Sequence, residues 1–410
     1  MAALKVLLYL PLILICAASN VWADEAVSDA RLLVPINGDR VAATLESISP
    51  AGELQFRVGE SDRRLRSDEL AWWGAPAEPR TDRQLVLADG GIVPLRLNPP
   101  PTSAAEQLIA VSDTFGELTL PLKLLAGVIY HAPIDPQRRD ELTARLRATD
   151  QKGDTPATAK NADRLLLENG DELQGRIVAL KETAVEFEAD LGALTVEIDR
   201  VAALAFNPSL RSLARANGPR SLVGFRDGSI LLAKSVRLTD GHTELHLGDE
   251  SRLSAAEGPV YLQPLGGAIH YLSDLSPASY RQLPFLDLPW EYQLDANVNG
   301  TRLRAAGRIY SKGVGMHSAA RLTWQLEKNY RRLEAELAID DQTDGHGSVV
   351  FRVFSGPKEI YKSQIVRGGD APLPISIDVR GARQLSLVVD YADRADVLDH
   401  ADWLNVRLRP

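Results

Sequence analysis

The last third of the sequence contains several hydrogen-bonding and aromatic residues beside predicted turns and strand ends. The candidates include two histidines, a serine, three aspartates and two tryptophans. A hexose carries hydroxyl groups around its rim and a weakly apolar face of C–H groups, so a receptor needs hydrogen-bonding side chains at the edge and an aromatic ring beneath. The candidate ligand-binding residues that supply these contacts are Trp290, His317, Ser318, Asp340, Asp341, His400, Asp402 and Trp403.

Several of these residues also have a purely structural interpretation. An alternative role for His317 and His400 is to hydrogen-bond the backbone of their own loops. Trp403 lies opposite the apolar face that begins with Leu404, so it is either a stacking platform or a plug beneath a loop, and Trp290 has the same two interpretations. Gly313-Val314-Gly315, just before His317, is predicted to be a flexible turn.

The acidic residues do not predict a metal site. Asp340, Gln342, Asp344 and Gly345 resemble the opening of an EF-hand loop, but Phe351 stands where the bidentate glutamate should be. An EF-hand is therefore excluded. The sequence predicts no catalytic residue, metal ligand or cofactor, although a structural calcium ion remains an option.

Alternating apolar residues predict strands throughout residues 303–410. Leu322, Trp324 and Leu326 share one face, and Leu333, Ala335 and later residues repeat the pattern. At least six such strands, separated by Gly, Asp and Pro turns and without a helical run of similar length, predict an antiparallel β-sandwich. We place this domain at residues 271–410.

Six motifs of this domain resemble a known family. They are Tyr271-Leu272-Ser273-Asp274-Leu275, Tyr310-Ser311-Lys312-Gly313-Val314-Gly315-Met316-His317-Ser318, Ile339-Asp340-Asp341 with Gly347-Ser348-Val349-Val350-Phe351-Arg352-Val353, Arg367-Gly368-Gly369-Asp370-Ala371-Pro372, Gly381-Ala382-Arg383-Gln384-Leu385 and Asp399-His400-Ala401-Asp402-Trp403. In this order they resemble the NPCBM family of carbohydrate-binding modules, which are attached to glycoside hydrolases such as those of family 98. The resemblance implies a jelly-roll of the galactose-binding type that holds terminal sugars through loops at one end.

The chain departs from the family pattern in two loops. The Tyr-Leu-Ser-Asp-Leu motif is followed by Ser276-Pro277-Ala278-Ser279-Tyr280 instead of an aromatic segment, and Asp390 to Asp396 replaces a glycine-rich turn. Because both departures lie in loops, they bear on the preferred sugar more than on the fold.

The front half of the sequence contains four copies of one short motif. Each copy is an apolar run followed by an Asn-Gly or Asp-Gly pair, which is a strong signal for a β-hairpin. About five short strands per copy resemble the SH3-like or Sm-like small β-barrels. We predict two barrels in 24–135, a short helix and linker in 136–162, and two further barrels in 163–270. The fold class is therefore mainly β, with tandem small barrels before the C-terminal sandwich.

The first 23 residues predict export. Lys5 precedes an apolar run, and Val21-Trp22-Ala23 fits cleavage by signal peptidase, whereas Cys16 leaves a lipoprotein as the less favoured alternative. A chain processed there has no cysteine and no predicted transmembrane segment, and we expect it to be secreted or periplasmic. The net charge of −9 argues against binding to nucleic acid.

These observations favour a non-catalytic carbohydrate-binding protein that recognises a glycan or polysaccharide. The N-terminal repeats are predicted to contact other secreted or cell-envelope proteins. One alternative is a glycoside hydrolase or an accessory subunit of one, although residues 24–270 lack the strand–helix alternation of a barrel enzyme. A second alternative is a structural or assembly protein whose sandwich no longer binds sugar.

Overall fold

A computed structural model describes residues 30–80, 83–148, 162–190, 192–212, 218–248, 251–285 and 288–410. The predicted signal peptide and residues 149–161 of the predicted linker lie outside these ranges. Within them, no helix is both long enough and apolar enough to cross a membrane.

The front half consists of four successive β units, which we call front units 1 to 4. Unit 1 contains β1 Arg31–Pro35, β2 Val41–Ile48, β3 Glu53–Val58, β4 Ser61–Arg66 and β5 Leu70–Gly74; unit 2 contains β6 Gln84–Leu87, β7 Ile92–Pro94, β8 Thr102–Ala104, β9 Gln107–Ser112, β10 Gly116–Pro121 and β11 Leu125–Ile129. Unit 3 contains β12 Asp163–Leu167, β13 Glu172–Leu180, β14 Ala184–Ala189, β15 Gly192–Glu197 and β16 Val201–Ala205; unit 4 contains β17 Arg220–Gly224, β18 Ile230–Ala233, β19 Ser235–Thr239, β20 His242–His246, β21 Arg252–Ala255 and β22 Tyr261–Leu265.

Each front unit opens with the predicted hairpin. The glycines of the four turns, Gly38, Gly90, Gly170 and Gly228, all have positive φ values between 91° and 102°. The first two strands of each unit pair antiparallel across that turn. The Asn-Gly and Asp-Gly pairs in the sequence therefore predict the hairpins correctly, because glycine adopts positive φ at little steric cost. The resemblance of the whole units to SH3-like barrels remains a prediction.

The closing strand of each unit pairs with its first strand, and closing strands also join different units. β5 of unit 1 pairs with β22 of unit 4, and β11 of unit 2 pairs with β16 of unit 3. The β11–β16 ladder joins the chain across the predicted linker. Ladders thus join unit 1 to unit 4 and unit 2 to unit 3, and the single pair Ile92–Ile230 joins unit 2 to unit 4.

The predicted short helix is present as α1 Pro136–Arg147. Its N-cap is Asp135, whose side chain accepts a hydrogen bond from the Arg138 amide at 2.8 Å, and proline occupies the first turn. Leu142 and Leu146, one helical turn apart, pack with apolar residues of units 2 and 3. The helix therefore covers the β11–β16 ladder rather than forming part of a linker.

The C-terminal domain is a sandwich of two antiparallel sheets, as predicted. Its strands are β23 His270–Tyr271, β24 Ser279–Gln282, β25 Gln293–Leu294, β26 Leu303–Ala305, β27 Arg308–Tyr310, β28 Gly313–His317, β29 Ala320–Gln325, β30 Arg332–Ile339, β31 Ser348–Ser355, β32 Lys358–Arg367, β33 Leu373–Asp378, β34 Gln384–Tyr391 and β35 His400–Arg409. The first sheet has the order β25-β28-β35-β30-β33, with β23 also paired to β35, and the second has the order β24-β29-β34-β31-β32. Buried residues of both inner faces form one core, which includes the predicted core residue Trp324.

The last strand, β35, contains a bulge that reverses its alternation. Asn405 has a φ of 48°, and the pairing of β35 with β30 shifts register next to it. Consequently Trp403 and Val406 both lie in the sandwich core, whereas Leu404 belongs to a separate cluster with the β26–β27 hairpin. The prediction that Trp403 lies opposite the core face is wrong because a single extra residue inverts every side chain beyond it.

The Gly313-Val314-Gly315 segment is also different from the prediction. It lies inside strand β28 and is fully buried, so it is not a flexible turn. A Cβ at Gly315 would come within 2.5 Å of the Ala296 carbonyl oxygen, and one at Gly313 within 2.7 Å of Leu303. These glycines allow the chain from residue 296 to 303 to pack directly on the outer side of the first sheet.

The front units and the sandwich share a polar and aromatic junction. The guanidinium of Arg407 lies 4.7 Å from the ring centre of Trp72. Gln263 donates hydrogen bonds to the Tyr271 hydroxyl at 2.7 Å and to the side-chain oxygen of Asn405 at 3.3 Å. The bulge residue Asn405 thus also contacts the front half.

A second part of this junction is ionic. Asp140 of α1 accepts hydrogen bonds from Arg302 at 2.7 Å and from Arg304 at 2.8 Å. Glu78 contacts the same two arginines and also Arg139. The Asp140 side chain is only 3% exposed, so its charge depends on these partners for compensation.

We predict that Asp140→Ala lowers the free energy of unfolding by about 2–4 kcal/mol, because two partly buried guanidinium groups lose their shared carboxylate. The measurement is urea denaturation of the full chain. Asp378→Ala, which removes a carboxylate from an exposed ion pair with Arg380, is the control and should leave the urea midpoint unchanged. Equal midpoints for Asp140→Ala and the unmodified protein would contradict this role of the junction.

Candidate functional site

Three of the predicted site residues meet in one aromatic cluster at the end of the first sheet. The rings of Trp290 and His317 are stacked, with centres 4.6 Å apart and planes 2° apart. The ring of His400 lies 5.5 Å from Trp290 and 5.7 Å from His317. Trp290 is partly exposed, whereas the two histidines are largely buried. We call Trp290, His317 and His400 the aromatic cluster.

The strand register brings the two histidines together. His317 ends β28 and His400 begins β35, and the two residues are direct partners in the antiparallel ladder. Directly opposed residues in such a ladder have closely spaced side chains on the same face of the sheet. The spacing of the two motifs along the chain gave no indication of this pairing.

Trp290 is held over the histidines by hydrogen bonds from its own main chain. Gln282 accepts from the Trp290 amide at 2.6 Å and donates to the Ser318 carbonyl at 3.1 Å. The Tyr280 hydroxyl donates to the Trp290 carbonyl at 2.6 Å. Gln282 therefore connects the loop that carries Trp290 to the end of the strand that carries His317.

Both histidines are uncharged near neutral pH. Burial, together with the neighbouring His317, lowers the pKa of His400 to about 4, and burial likewise lowers the pKa of His317. A neutral imidazole has one donor and one acceptor nitrogen. Nδ1 of His317 lies 3.3 Å from the Ser318 carbonyl, and Nδ1 of His400 is buried with no hydrogen-bond partner among the described residues. That nitrogen is shielded from solvent and out of a ligand's reach, so the partly exposed Trp290 ring is the surface that the cluster offers.

Asp399 and Ser318 lie next to the aromatic cluster. Asp399 accepts from the Ser348 amide at 2.9 Å, and burial raises the pKa of its carboxyl to about 6. The Ser318 hydroxyl lies close enough to lower that pKa, although it does not form a hydrogen bond of ordinary geometry with Asp399. Both residues are fully buried, so they pack beside the aromatic cluster and are not accessible to a ligand.

Asp340 and Asp402 form a separate, buried pair. Burial raises the pKa of Asp340 above its ordinary value, and hydrogen bonds from the Gln342 amide at 3.0 Å and the Arg304 amide at 3.1 Å offset part of that shift. Burial and then the charge of Asp340 raise the pKa of Asp402 well above its ordinary value. Both side chains are completely buried. Asp402 is thus a neutral acid that faces Asp340, and the pair does not line an open site.

The remaining predicted residues also have structural positions. Asp341 accepts from the amides of Ala306 at 2.9 Å and Gly307 at 2.8 Å, and so holds the β26–β27 turn. Trp403 is 0% exposed and meets Phe351 edge to face at 5.0 Å in the core. The prediction that Trp403 is a sugar platform is wrong, because the β35 bulge turns its ring inward. The plug interpretation is the one the structure supports.

Two loops beside the aromatic cluster expose large apolar side chains. Five of the eleven exposed large hydrophobic residues in the described ranges lie in these loops, which indicates an apolar rim and not scattered exposure. Three residues of the second loop, Arg394, Ala395 and Leu398, have φ between 58° and 61°, which is strained for side chains other than glycine. The exposed apolar residues are Leu283, Phe285, Leu288, Val397 and Leu398.

No group of three or more His, Cys, Asp or Glu side chains is arranged to hold a metal ion in the ranges that the structure covers. The segment that resembles an EF-hand opening forms a tight turn instead, in which Asp340 caps the Gln342 amide and Asp344 has a φ of 50°.

Gln282 and Asp399 were missed as functional residues. Asp399 belongs to the last family motif, so its place beside His400 was a usable signal. Gln282 lies in a sequence without any motif and is recognised only by its two hydrogen bonds.

Residues 269–409 match the family model described as the NPCBM/NEW2 domain. The predicted NPCBM-like module at 271–410 is therefore confirmed. The match covers about a third of the chain, and the front units lie outside it.

Several known proteins resemble stretches of this chain. Over 120 residues the chain is 37% identical to alpha-1,3-galactosidase B of Akkermansia muciniphila, an alignment that covers 28% of this chain and 15% of that protein. The CBM51 module from Clostridium perfringens GH95, solved with methyl-galactose, aligns with 34% of this chain and 99% of its own at 23% identity and a TM-score of 0.31. The chain thus spans less than a sixth of the curated relative.

We predict that Asp402→Asn keeps the stability of the protein at neutral pH and gains on the unmodified protein as the pH rises. A carboxyl whose pKa is raised by folding contributes stability that is present below its unfolded pKa and is lost as the pH rises through the folded pKa. Asparagine is neutral at every pH and can still donate to Asp340. The measurement is the unfolding temperature from about pH 5 to pH 9.

The exposed residue Asp344 supplies the control, and Asp344→Asn should follow the unmodified protein at every pH. A large loss of stability in Asp402→Asn at neutral pH would mean that Asp402 is ionised there, contrary to its buried position beside Asp340.

Proposed function

We propose that this chain is an exported, non-catalytic carbohydrate-binding protein that recognises a terminal sugar with the aromatic cluster. The observation that carries the proposal is the partly exposed Trp290 ring, which stacks on His317 and lies against His400, two histidines that are neutral near pH 7. An aromatic ring can contact the C–H face of a hexose, and neutral imidazoles can hydrogen-bond its hydroxyl groups. The NPCBM match at residues 269–409 supports the assignment to carbohydrate.

The class of sugar that we favour contains galactose. The proposal follows the name of the matched relative, an alpha-1,3-galactosidase, and the implication of the family resemblance. The apolar rim formed by Leu283, Phe285, Leu288, Val397 and Leu398 would contact the group that follows the terminal sugar. Segments 276–280 and 390–396 depart from the family pattern. We therefore expect this chain to prefer a glycosidic linkage that differs from those preferred by other family members.

A hydrolase is the second candidate, since the matched relative is a glycosidase. A glycoside hydrolase needs two carboxyl groups on either side of an accessible bond. Asp340 and Asp402, two neighbouring carboxyl groups of the sandwich, are fully buried, so no glycosidic bond can reach them. Release of chromophore from a nitrophenyl galactoside by the full chain would favour this candidate over binding alone.

We predict that Trp290→Ala weakens binding to a galactoside by about 1–2 kcal/mol, which corresponds to roughly a five- to thirtyfold loss of affinity, because the stacking ring is removed. Trp290→Phe should keep most of the affinity. The measurement is calorimetric titration of the full chain with methyl galactoside and with longer galactose-terminated glycans.

Tyr361→Ala is the matched control for this loss. It removes a partly exposed aromatic ring from β32, in the second sheet, and should leave the affinity unchanged. If Trp290→Ala and Tyr361→Ala both bind like the unmodified protein, the aromatic cluster is not the sugar site.

We also predict that the affinity falls as the pH approaches 4, where His400 gains a proton and the aromatic cluster a positive charge. The stability of the fold should fall in the same direction below the ordinary histidine pKa, because a depressed folded pKa favours the neutral state. A binding midpoint near pH 6.5 would contradict the buried, neutral state of these histidines.

A further inference from the structure

A cavity of about 350 Å³ lies where front units 1 and 4 meet. Unit 1 contributes the β2–β3 turn and the segment that begins at Arg66, and unit 4 contributes the start of β17 and the β18–β19 connection. Ile48 and Leu262, which belong to the strand pairs that join the two units, line it as well. The cavity is lined by no residue of the aromatic cluster, and all of its lining residues lie outside the NPCBM match.

The residues that line this cavity carry an excess of positive charge. Arg66, Arg220 and Lys234 are cationic, and Asp68 is the only acid among them. Asp68 is already paired with Arg66, from which it accepts two hydrogen bonds at 3.1 Å. Arg220 and Lys234 therefore give the lining an excess of two positive charges, in a protein whose net charge is −9. Such a site attracts an anion from solution.

The two remaining cations lack partners. Within the described ranges, no carboxylate lies at ion-pair distance from Arg220 or Lys234, and Nε of Arg220 is buried without an acceptor. Asp89 faces them from an adjoining cavity of about 50 Å³, where its carboxylate accepts from the Gly91 amide at 3.0 Å. A buried charged donor without an acceptor is unfavourable, so an anionic oxygen in the cavity would satisfy it.

The lining also contains several hydroxyl groups. Ser221 and Ser235 come from unit 4 beside the two cations, and Ser49 and Ser67 come from unit 1. Ser67 donates to the Gly52 carbonyl at 2.8 Å, and Ser49 accepts from the Glu53 amide at 3.1 Å. Hydroxyl groups both donate and accept, which suits the hydroxyls of a sugar ring.

We propose that this cavity binds an anionic sugar unit, carboxylated or sulfated, of an acidic polysaccharide. The anionic character follows from Arg220 and Lys234 alone, whereas the choice of a sugar as its carrier rests on the proposed function of the sandwich. A second glycan contact on the same chain would raise the avidity for a polymer that carries both neutral and acidic sugars. It also gives the front units a binding role of their own.

The test is calorimetric titration of the full chain with glucuronate, with methyl galactoside and with inorganic sulfate. Lys234→Glu reverses the charge of an exposed residue and should weaken glucuronate binding on the order of tenfold or more, with methyl galactoside binding unchanged. Raising the salt concentration should weaken glucuronate binding in the unmodified protein. Sulfate, which lacks ring hydroxyls, should bind more weakly than glucuronate.

Arg237→Glu is the matched control, because Arg237 is also exposed in unit 4 but does not line the cavity. It should retain glucuronate binding. Equal glucuronate affinity in Lys234→Glu and the unmodified protein would overturn the anion site, and sulfate binding as tight as glucuronate would overturn the sugar assignment. Failure of the sandwich proposal is seen separately, as methyl galactoside binding that is absent or indifferent to Trp290→Ala.

Discussion

The bulge in the last strand is the constraint on which the C-terminal domain depends. β35 lies between β28 and β30, so a shift in its register changes which residues of both neighbouring strands lie opposite its own side chains. Before the bulge at Asn405, Ala401 and Trp403 face the core; beyond it, Val406 and Leu408 do. One strand can therefore fill the core along its whole length and still place His400 beside His317. The same bulge directs the Asn405 side chain toward Gln263 of the front half.

Burial shifts the pKa values of most titratable groups near the candidate site. It lowers those of His317 and His400 and raises that of Asp402, so these three groups are neutral near pH 7, whereas Asp399, with a pKa of about 6, is mostly ionised there. Charged groups would attract ions and water, whereas neutral donors and acceptors suit the hydroxyls of an uncharged sugar. The cavity between front units 1 and 4 is different, because its lining has more cations than acids and neither Arg220 nor Lys234 forms an ion pair with a described residue. The two sites thus suit ligands of different charge.

Sequence patterns predicted the elements well and their contacts poorly. The Asn-Gly and Asp-Gly pairs located all four front hairpins, and the alternation of apolar and polar residues located the sandwich strands. Both signals are local in the sequence. The orientation of Trp403 could not be predicted, since the bulge at Asn405 leaves no local signal in an apolar strand. The His317–His400 pair depends on a ladder between residues far apart in sequence. The role of Gln282 depends on the conformation of the loop that carries Trp290, with which it forms a hydrogen bond. The structure thus brings Trp290 together with the two histidines, whereas it places Trp403 in the core.

The most direct test of the central claim is the NMR spectrum of the tryptophan side chains as a galactose-terminated glycan is added. The account predicts that the indole signal of Trp290 shifts with ligand, while those of the buried Trp324 and Trp403 stay in place. A Trp290 signal that does not move when the glycan binds would contradict the assignment of the sugar site to this end of the sandwich.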